Sequence, residues 1–265
     1  MPTAFLSLTA AALYVAAAII LALPLLHRRP LPRALGFSLA VAAVALHAAV
    51  MVGKHRGGVD LHFFAALSLV GACMAAMCLL VNLARPVATL GVFVFPLAAL
   101  LLLVDNFAAP ATQPFPIEWQ IKLHVVFALI SYSVLSIAAL LAILLALQER
   151  AMRLRRFGGL ASALPPLTLT ESLVFQLIGT GFVLLSITLI SGILFVDNLF
   201  AQHLIHKTVL SIAAWAVFGV LLFGRWRYGW RGRRAVRLIL VGMVLLVLAF
   251  FGSRFVLEVV LKRVP

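Results

Sequence analysis

Charged residues are scarce in this sequence. Only 11% of its 265 residues are Asp, Glu, Lys or Arg, whereas about a quarter are charged in a typical soluble domain. Hydrophobic residues make up 65% of the chain, and its mean hydropathy is +1.20. The apolar segments cover most of the chain. This composition leaves no room for a soluble catalytic domain.

Carboxylates and cysteines are also few. The seven acidic residues form no motif for phosphate, metal or acid–base chemistry, so an enzyme is the least favoured function class. The apolar segments lack the internal carboxylates that usually mark a proton or cation path, which gives a channel or transporter little support. The two cysteines, Cys73 and Cys78, lie five residues apart. This spacing puts them on different helix faces and favours small buried residues over a redox pair.

What the sequence does contain is a series of continuous apolar runs, each about as long as a transmembrane helix. They cover residues 4–26, 34–53, 63–82, 87–105, 122–147, 173–196, 207–224 and 235–258. The first run has no basic segment before it and exceeds the length of a signal-peptide core, so we expect a retained span. The sequence predicts an all-α, polytopic membrane protein of about eight helices, with residues 1–265 forming a single transmembrane domain.

The net charge of +14 is distributed unevenly between the loops. With the N-terminus outside, most Lys and Arg residues fall in the cytoplasmic loops and most Asp and Glu residues fall outside. Basic residues concentrate on the cytoplasmic side of membrane proteins, so both termini are predicted to lie on the outer side. The basic excess therefore indicates topology and contacts with membrane lipids rather than nucleic-acid binding.

Of the seven histidines, only His27 falls on the predicted inner side. His47 lies inside the second apolar run and His124 begins the fifth, each in the outer third of its helix. Neutral imidazole is a good ligand for haem iron, zinc and copper. His203 and His206 could share a helix face, but no carboxylate or thiolate joins them in a zinc or copper site. Haem requires only one or two axial imidazoles and an apolar pocket, so His124 and His47 are the candidate ligands of a haem iron.

Each candidate residue also has a purely structural interpretation. His124 could cap its helix, and His47 could form a cross-helix hydrogen bond. Ser131, on the His124 face, would admit either a flat macrocycle or a neighbouring helix. Lys207 could meet a haem propionate or extend towards the membrane surface. His62 and His203 are candidates for a second ligand, although loop histidines are more often solvated. The sixth run carries a small and polar face, formed by Gly181, Thr188, Ser191 and Gly192, that suits packing as well as a pocket.

Several segments in order resemble a known family. They are LHVVFALISYSVLSIAALL (123–141), ESLVFQLIGTGFVLLSITLISGILF (171–195), HKTVLSIAAWAVFGVLL (206–222), GWRGRRAV (229–236) and LAFFGSRF (248–255). From about residue 36 onwards, the chain resembles the cytochrome c assembly protein family of haem-handling membrane proteins. The family includes CcsA-like and HemX-like proteins, and the resemblance is strongest to the YpjD-type branch. It implies a location in the bacterial inner membrane and an external haem-ligand role for His124.

The sequence departs from the haem-ligation members of that family at three places. The segment DNLFAQHLIHK (197–207) has no tryptophan where those members are Trp-rich. FGSR (251–254) stands where the family has a second external histidine. A further membrane histidine of the family, near the inner end of the seventh run, is replaced around Gly224. The resemblance thus implies haem binding, haem delivery or cytochrome biogenesis without the complete ligation motif, with cytochrome c biogenesis proteins as partners. The alternative is a non-enzymatic subunit that stabilises or regulates another membrane protein, such as a transporter.

Overall fold

The fold is entirely helical over the residues that the computed structural model describes, which are 2–27, 33–54, 62–84, 88–109, 118–154, 166–195 and 205–252. The helices are α1 (Pro2–His27), α2 (Arg33–Lys54), α3 (Phe63–Ala84), α4 (Ala88–Ala108), α5 (Trp119–Arg153), α6 (Leu167–Phe195), α7 (Ile205–Tyr228) and α8 (Arg233–Val247). A π-helical turn, Leu248–Gly252, continues α8.

In the described part of the chain, eight helical segments are long and apolar enough to cross a membrane. The predicted all-α membrane architecture is therefore confirmed, while the orientation of the termini stays a prediction. The largest difference in length is at α5, which begins three residues earlier and ends six residues later than the predicted run. The added C-terminal turns carry Arg150 and Arg153, and basic residues favour the C-terminal end of a helix dipole.

The described helices divide into two compact units, and the first consists of α1 to α4. In this unit α1 packs against α2 and α4, while α3 packs against α4 and α2. Small residues line these contacts, since Ala10, Ala40, Ala43 and Ala66 are all fully buried. Small side chains let membrane helices approach closely, where van der Waals packing replaces the hydrophobic driving force available in water.

The second unit contains α5 up to Glu149, α6, α7, α8 and the π-helical turn. The α5–α6 contact is tight, because a Cβ atom at Gly181 would lie only 2.5 Å from Leu135 Cδ2. Phe218 of α7 packs onto Gly242 of α8 in the same way. The helix contacts divide the chain into these two units. That residues 1–265 form a single transmembrane domain stays a prediction.

Candidate functional site

His124 lies in the second turn of α5 and faces α6. Its Nδ1 atom is 2.9 Å from the hydroxyl oxygen of Ser191. Ser191 is buried, and its hydroxyl in turn donates a hydrogen bond of 2.9 Å to the carbonyl oxygen of Thr188. His124 itself is only partly buried. The imidazole is thus held from one side by α6.

This chain of hydrogen bonds favours one tautomer of His124. A serine hydroxyl has one proton to donate and two lone pairs that accept. When the Ser191 hydroxyl donates its proton to the Thr188 carbonyl, its oxygen accepts from Nδ1–H of His124. The neutral ring then has its lone pair on Nε2. In metal-binding histidines, one ring nitrogen usually donates a hydrogen bond to a neighbouring group while the other nitrogen binds the metal.

Two small residues of α6 shape this contact. A Cβ atom at Gly192 would lie 3.3 Å from His124 Cε1, so glycine leaves room for the imidazole. About two turns further along α5, the Ser131 hydroxyl donates a hydrogen bond of 3.1 Å to the Gly181 carbonyl. Ser131 is buried, so its small size admits α6 at this level. The sequence identified the small and polar face of α6, but the partner of Ser191 emerged only from the packing.

The antiparallel register of the helices places Lys207 at the same end of this unit as His124. Glu171 and Ser186 of α6 contact Arg225 and Trp215 of α7, so the start of α7 lies near the end of α6. At this end Trp119 approaches Phe195, with ring centroids 6.5 Å apart. Lys207 lies in the first turn of α7 and is half-buried. His203 falls outside the described residues.

His47 belongs to the first unit and is completely buried in it. Its Nδ1 atom is 3.4 Å from the Tyr14 hydroxyl of α1, and its Nε2 atom is 3.0 Å from the Ser68 hydroxyl of α3. Both ring nitrogens are therefore engaged by neighbouring helices. Of the two roles that the sequence left open, this geometry favours the cross-helix hydrogen bond, since iron ligation would require Ser68 or Tyr14 to be displaced.

His62 precedes α3 and approaches a buried carboxylate. Its Nε2 atom lies 3.7 Å from Asp105 Oδ1, while the other oxygen, Oδ2, is 2.8 Å from Lys54 Nζ. The Asp105 side chain is fully buried, and that of His62 is only 11% exposed. The sequence showed no partner for the acidic residues. The tertiary structure provides one for Asp105 and, in the second unit, pairs Glu171 with Arg225 at 2.7 Å.

Among the described residues, no group of three or more His, Cys, Asp and Glu side chains could hold a free metal ion. One axial imidazole, however, meets the minimum protein ligation that a haem iron needs. Nε2 of His124 could supply one, since the hydrogen bond at Nδ1 leaves the Nε2 lone pair available. The donor chemistry at His124 is thus compatible with a haem iron.

Comparison with known proteins identifies the family. The model of the cytochrome C assembly protein family matches residues 31–261. The chain belongs to this family. The Escherichia coli K12 inner membrane protein YpjD is 42% identical over 137 residues, which are 52% of each chain. An uncharacterised 28.8 kDa protein of Azospirillum brasilense is 35% identical over 202 residues, 72% of this chain and 73% of the other.

A third relative is the cytochrome c biogenesis protein CcsA of Guillardia theta, 27% identical over 165 residues. That alignment covers 56% of this chain and 54% of CcsA. The chain thus spans about half the length of both YpjD and CcsA. No solved structure matches the chain.

The packing accounts for two departures from the haem-ligation members of the cytochrome c assembly family. At Gly224, the Trp230 ring occupies the space that a Cβ atom would need, so a histidine could not be accommodated without moving that ring. Phe251 is buried in the π-helical turn, where its ring packs edge-on against Tyr132 at 5.5 Å. Aromatic side chains thus fill the space at both positions.

Proposed function

We propose that this protein is a haem-binding, multi-pass protein of the bacterial inner membrane that acts in cytochrome c biogenesis, with Nε2 of His124 as an axial ligand. The observation that carries the proposal is the Thr188–Ser191–His124 chain of hydrogen bonds. It favours a proton on Nδ1, which leaves Nε2 available as the ligating nitrogen. Ser131 provides a separate hydrogen bond between α5 and α6.

The other predicted site residues have different roles in this proposal. Lys207, at the same end of the unit as His124, is suited to neutralise a haem propionate. Ser131 sets the α5–α6 distance, because its hydroxyl is committed to Gly181. His47 stabilises the first unit through Tyr14 and Ser68. The second axial ligand would come from His203, in the segment before α7, or from a partner.

The proposed role is to hold and deliver haem rather than to catalyse a reaction. When bound, haem supplies the iron centre that a receiving cytochrome uses. This chain orients one ligand and provides an apolar surface. The segment 251–254, in the region where the resemblance places a second external histidine, contains no histidine, and the segment before Lys207 lacks tryptophan. These differences support haem holding without complete ligation machinery, with cytochrome c biogenesis proteins as partners. The names of the relatives support this process and an inner-membrane location.

The test is the visible absorption spectrum of the detergent-purified protein, oxidised and then reduced, after haem supplementation. We expect a Soret band and sharp reduced α and β bands, lost in His124→Ala. His27→Ala is the matched control, since His27 is the histidine predicted for the opposite membrane side, and its spectrum should match the original. His47→Ala should keep the bands while lowering thermal stability. A protein without a Soret band would refute the haem proposal and favour the alternative of a non-enzymatic partner subunit.

A further inference from the structure

The segment 229–236, which carries part of the family resemblance, has no role in the proposed haem site. It connects α7 to α8 through a turn in which Gly229 and Gly232 have φ angles of 65° and 62°. Only glycine adopts these conformations without strain. The Trp230 ring packs onto Gly224, and its backbone N–H donates to the Gly224 carbonyl at 3.2 Å. The turn therefore has a defined shape, and it carries Arg231 at its centre.

Arg231 lines a cleft of about 450 Å³ between this turn and the start of α6. The α6 wall presents Thr168, Ser172 and Gln176 to the cleft. These residues are spaced by four, so they lie on one helix face. All three are exposed. The wall thus offers two hydroxyl groups and one amide as hydrogen-bond donors.

The charge in the cleft is positive. Arg225 binds Glu171 at 2.7 Å, lies 4.5 Å above the Phe175 ring and approaches the Trp230 carbonyl at 3.4 Å. Its guanidinium is therefore held in place, and it neutralises the carboxylate. Arg231 is exposed and adds a second guanidinium. Two guanidinium groups and one carboxylate leave the lining with one net positive charge.

Guanidinium groups with nearby hydroxyl donors are suited to a phosphate, because their planar N–H groups can bind two of its oxygens at once. The cleft is formed by the first turns of α6 and the last turn of α7. Both helices are long and apolar enough to span a membrane, and in such a span their ends would lie near the lipid headgroups. The predicted topology puts this end on the cytoplasmic side, where anionic lipids are concentrated.

We propose that this cleft binds the phosphate of an anionic phospholipid headgroup, with Arg231, Ser172 and Thr168 as its donors and Arg225 as a fixed positive wall. The proposal is independent of haem binding. It assigns a function to the turn between α7 and α8, which positions Arg231 at the cleft.

The experiment is native mass spectrometry of the detergent-purified full chain with phosphatidylglycerol, phosphatidylcholine or inorganic phosphate added. We expect saturable binding of phosphatidylglycerol that is weakened about tenfold in Arg231→Gln, as for the loss of a hydrogen bond to a charged group. Ser172→Ala should weaken it less. The matched control is Arg233→Gln, which removes an equal charge two residues away, outside the cleft lining, and should change binding by less than about twofold.

Three results would overturn the proposal. Equal weakening by Arg231→Gln and Arg233→Gln would mean that only the general positive charge attracts the lipid. Equal binding of phosphatidylcholine would mean that the cleft does not select an anionic headgroup. Inorganic phosphate that binds as tightly and displaces the lipid would mean that the ligand is a soluble phosphate. Arg231 is exposed, so its substitution should leave the fold intact. The melting temperature of each variant checks this.

Discussion

Ser191→Ala is the substitution that tests the proposed ligand geometry most directly. It removes the hydroxyl that lies between His124 Nδ1 and the Thr188 carbonyl, two contacts of 2.9 Å. Without it, the Thr188 backbone is the remaining α6 partner of the ring, so the preference for a proton on Nδ1 weakens. The tautomer with the proton on Nε2 cannot bind iron through that nitrogen. The lost hydrogen bond between neutral groups would by itself account for about 1 kcal/mol.

Mutation of a residue that hydrogen-bonds to a metal-binding histidine usually lowers metal affinity by about 10- to 100-fold. We therefore expect Ser191→Ala to raise the haem dissociation constant about tenfold, which corresponds to about 1.4 kcal/mol. The reduction potential should also become more positive, because a histidine without its Nδ1 hydrogen bond is a weaker donor to ferric iron. Ser191→Thr should restore most of both properties, since its hydroxyl can still bond to a carbonyl one turn earlier.

The assay is a titration of haem into the apoprotein, followed at the Soret band, with a redox titration of the loaded protein. Ser186→Ala is the control, because it removes a different hydrogen bond of α6, the one from Trp215, without contacting His124. If Ser191→Ala binds haem as tightly as the original protein while His124→Ala does not bind it, the ligand assignment holds and the tautomer argument is wrong. If Ser186→Ala is equally impaired, the effect reflects helix packing.

Three further predictions concern packing and charge. Gly192→Ala should weaken haem binding, because the new methyl group would lie 3.3 Å from His124 Cε1. Gly179→Ala should leave haem binding unchanged, because its methyl group would enter open space. The same haem titration measures both variants. Gly181→Ala should lower stability by about 1–3 kcal/mol, since its Cβ would lie 2.5 Å from a Leu135 methyl; Gly179→Ala is again the control, and equal melting temperatures would contradict the packing. Lys54→Met should lower the melting temperature more than Asp105→Asn does. It leaves the fully buried Asp105 carboxylate without the Lys54 ammonium group. Removal of one partner from a buried ion pair costs about 3–5 kcal/mol.

Removal of the other partner is less costly for a physical reason. The Lys54 side chain is 26% exposed, whereas that of Asp105 is not exposed at all. A lysine without its partner can therefore extend to water, whereas an aspartate without its partner stays buried, which is costly for a charged group. A thermal-shift assay in detergent that ranks the two variants in the reverse order would contradict this account.

The sequence by itself determined the eight membrane helices and the candidate ligand. Helix length and hydropathy are local properties, because a bilayer requires every backbone group to be satisfied within its own segment. The position of His124 at the start of an apolar run was equally visible from the sequence.

Only the tertiary structure showed which partners His47 and His124 have, because the partner of a side chain on one helix comes from another. Ser191 orients His124 from 67 positions away along the chain. Tyr14 and Ser68 engage both nitrogens of His47, and Lys54 compensates the buried charge of Asp105. Hydropathy specifies that helices form, but which side chains meet depends on their rotation and register, and these are set by small residues such as Gly181 and Gly192 that bring two helices together.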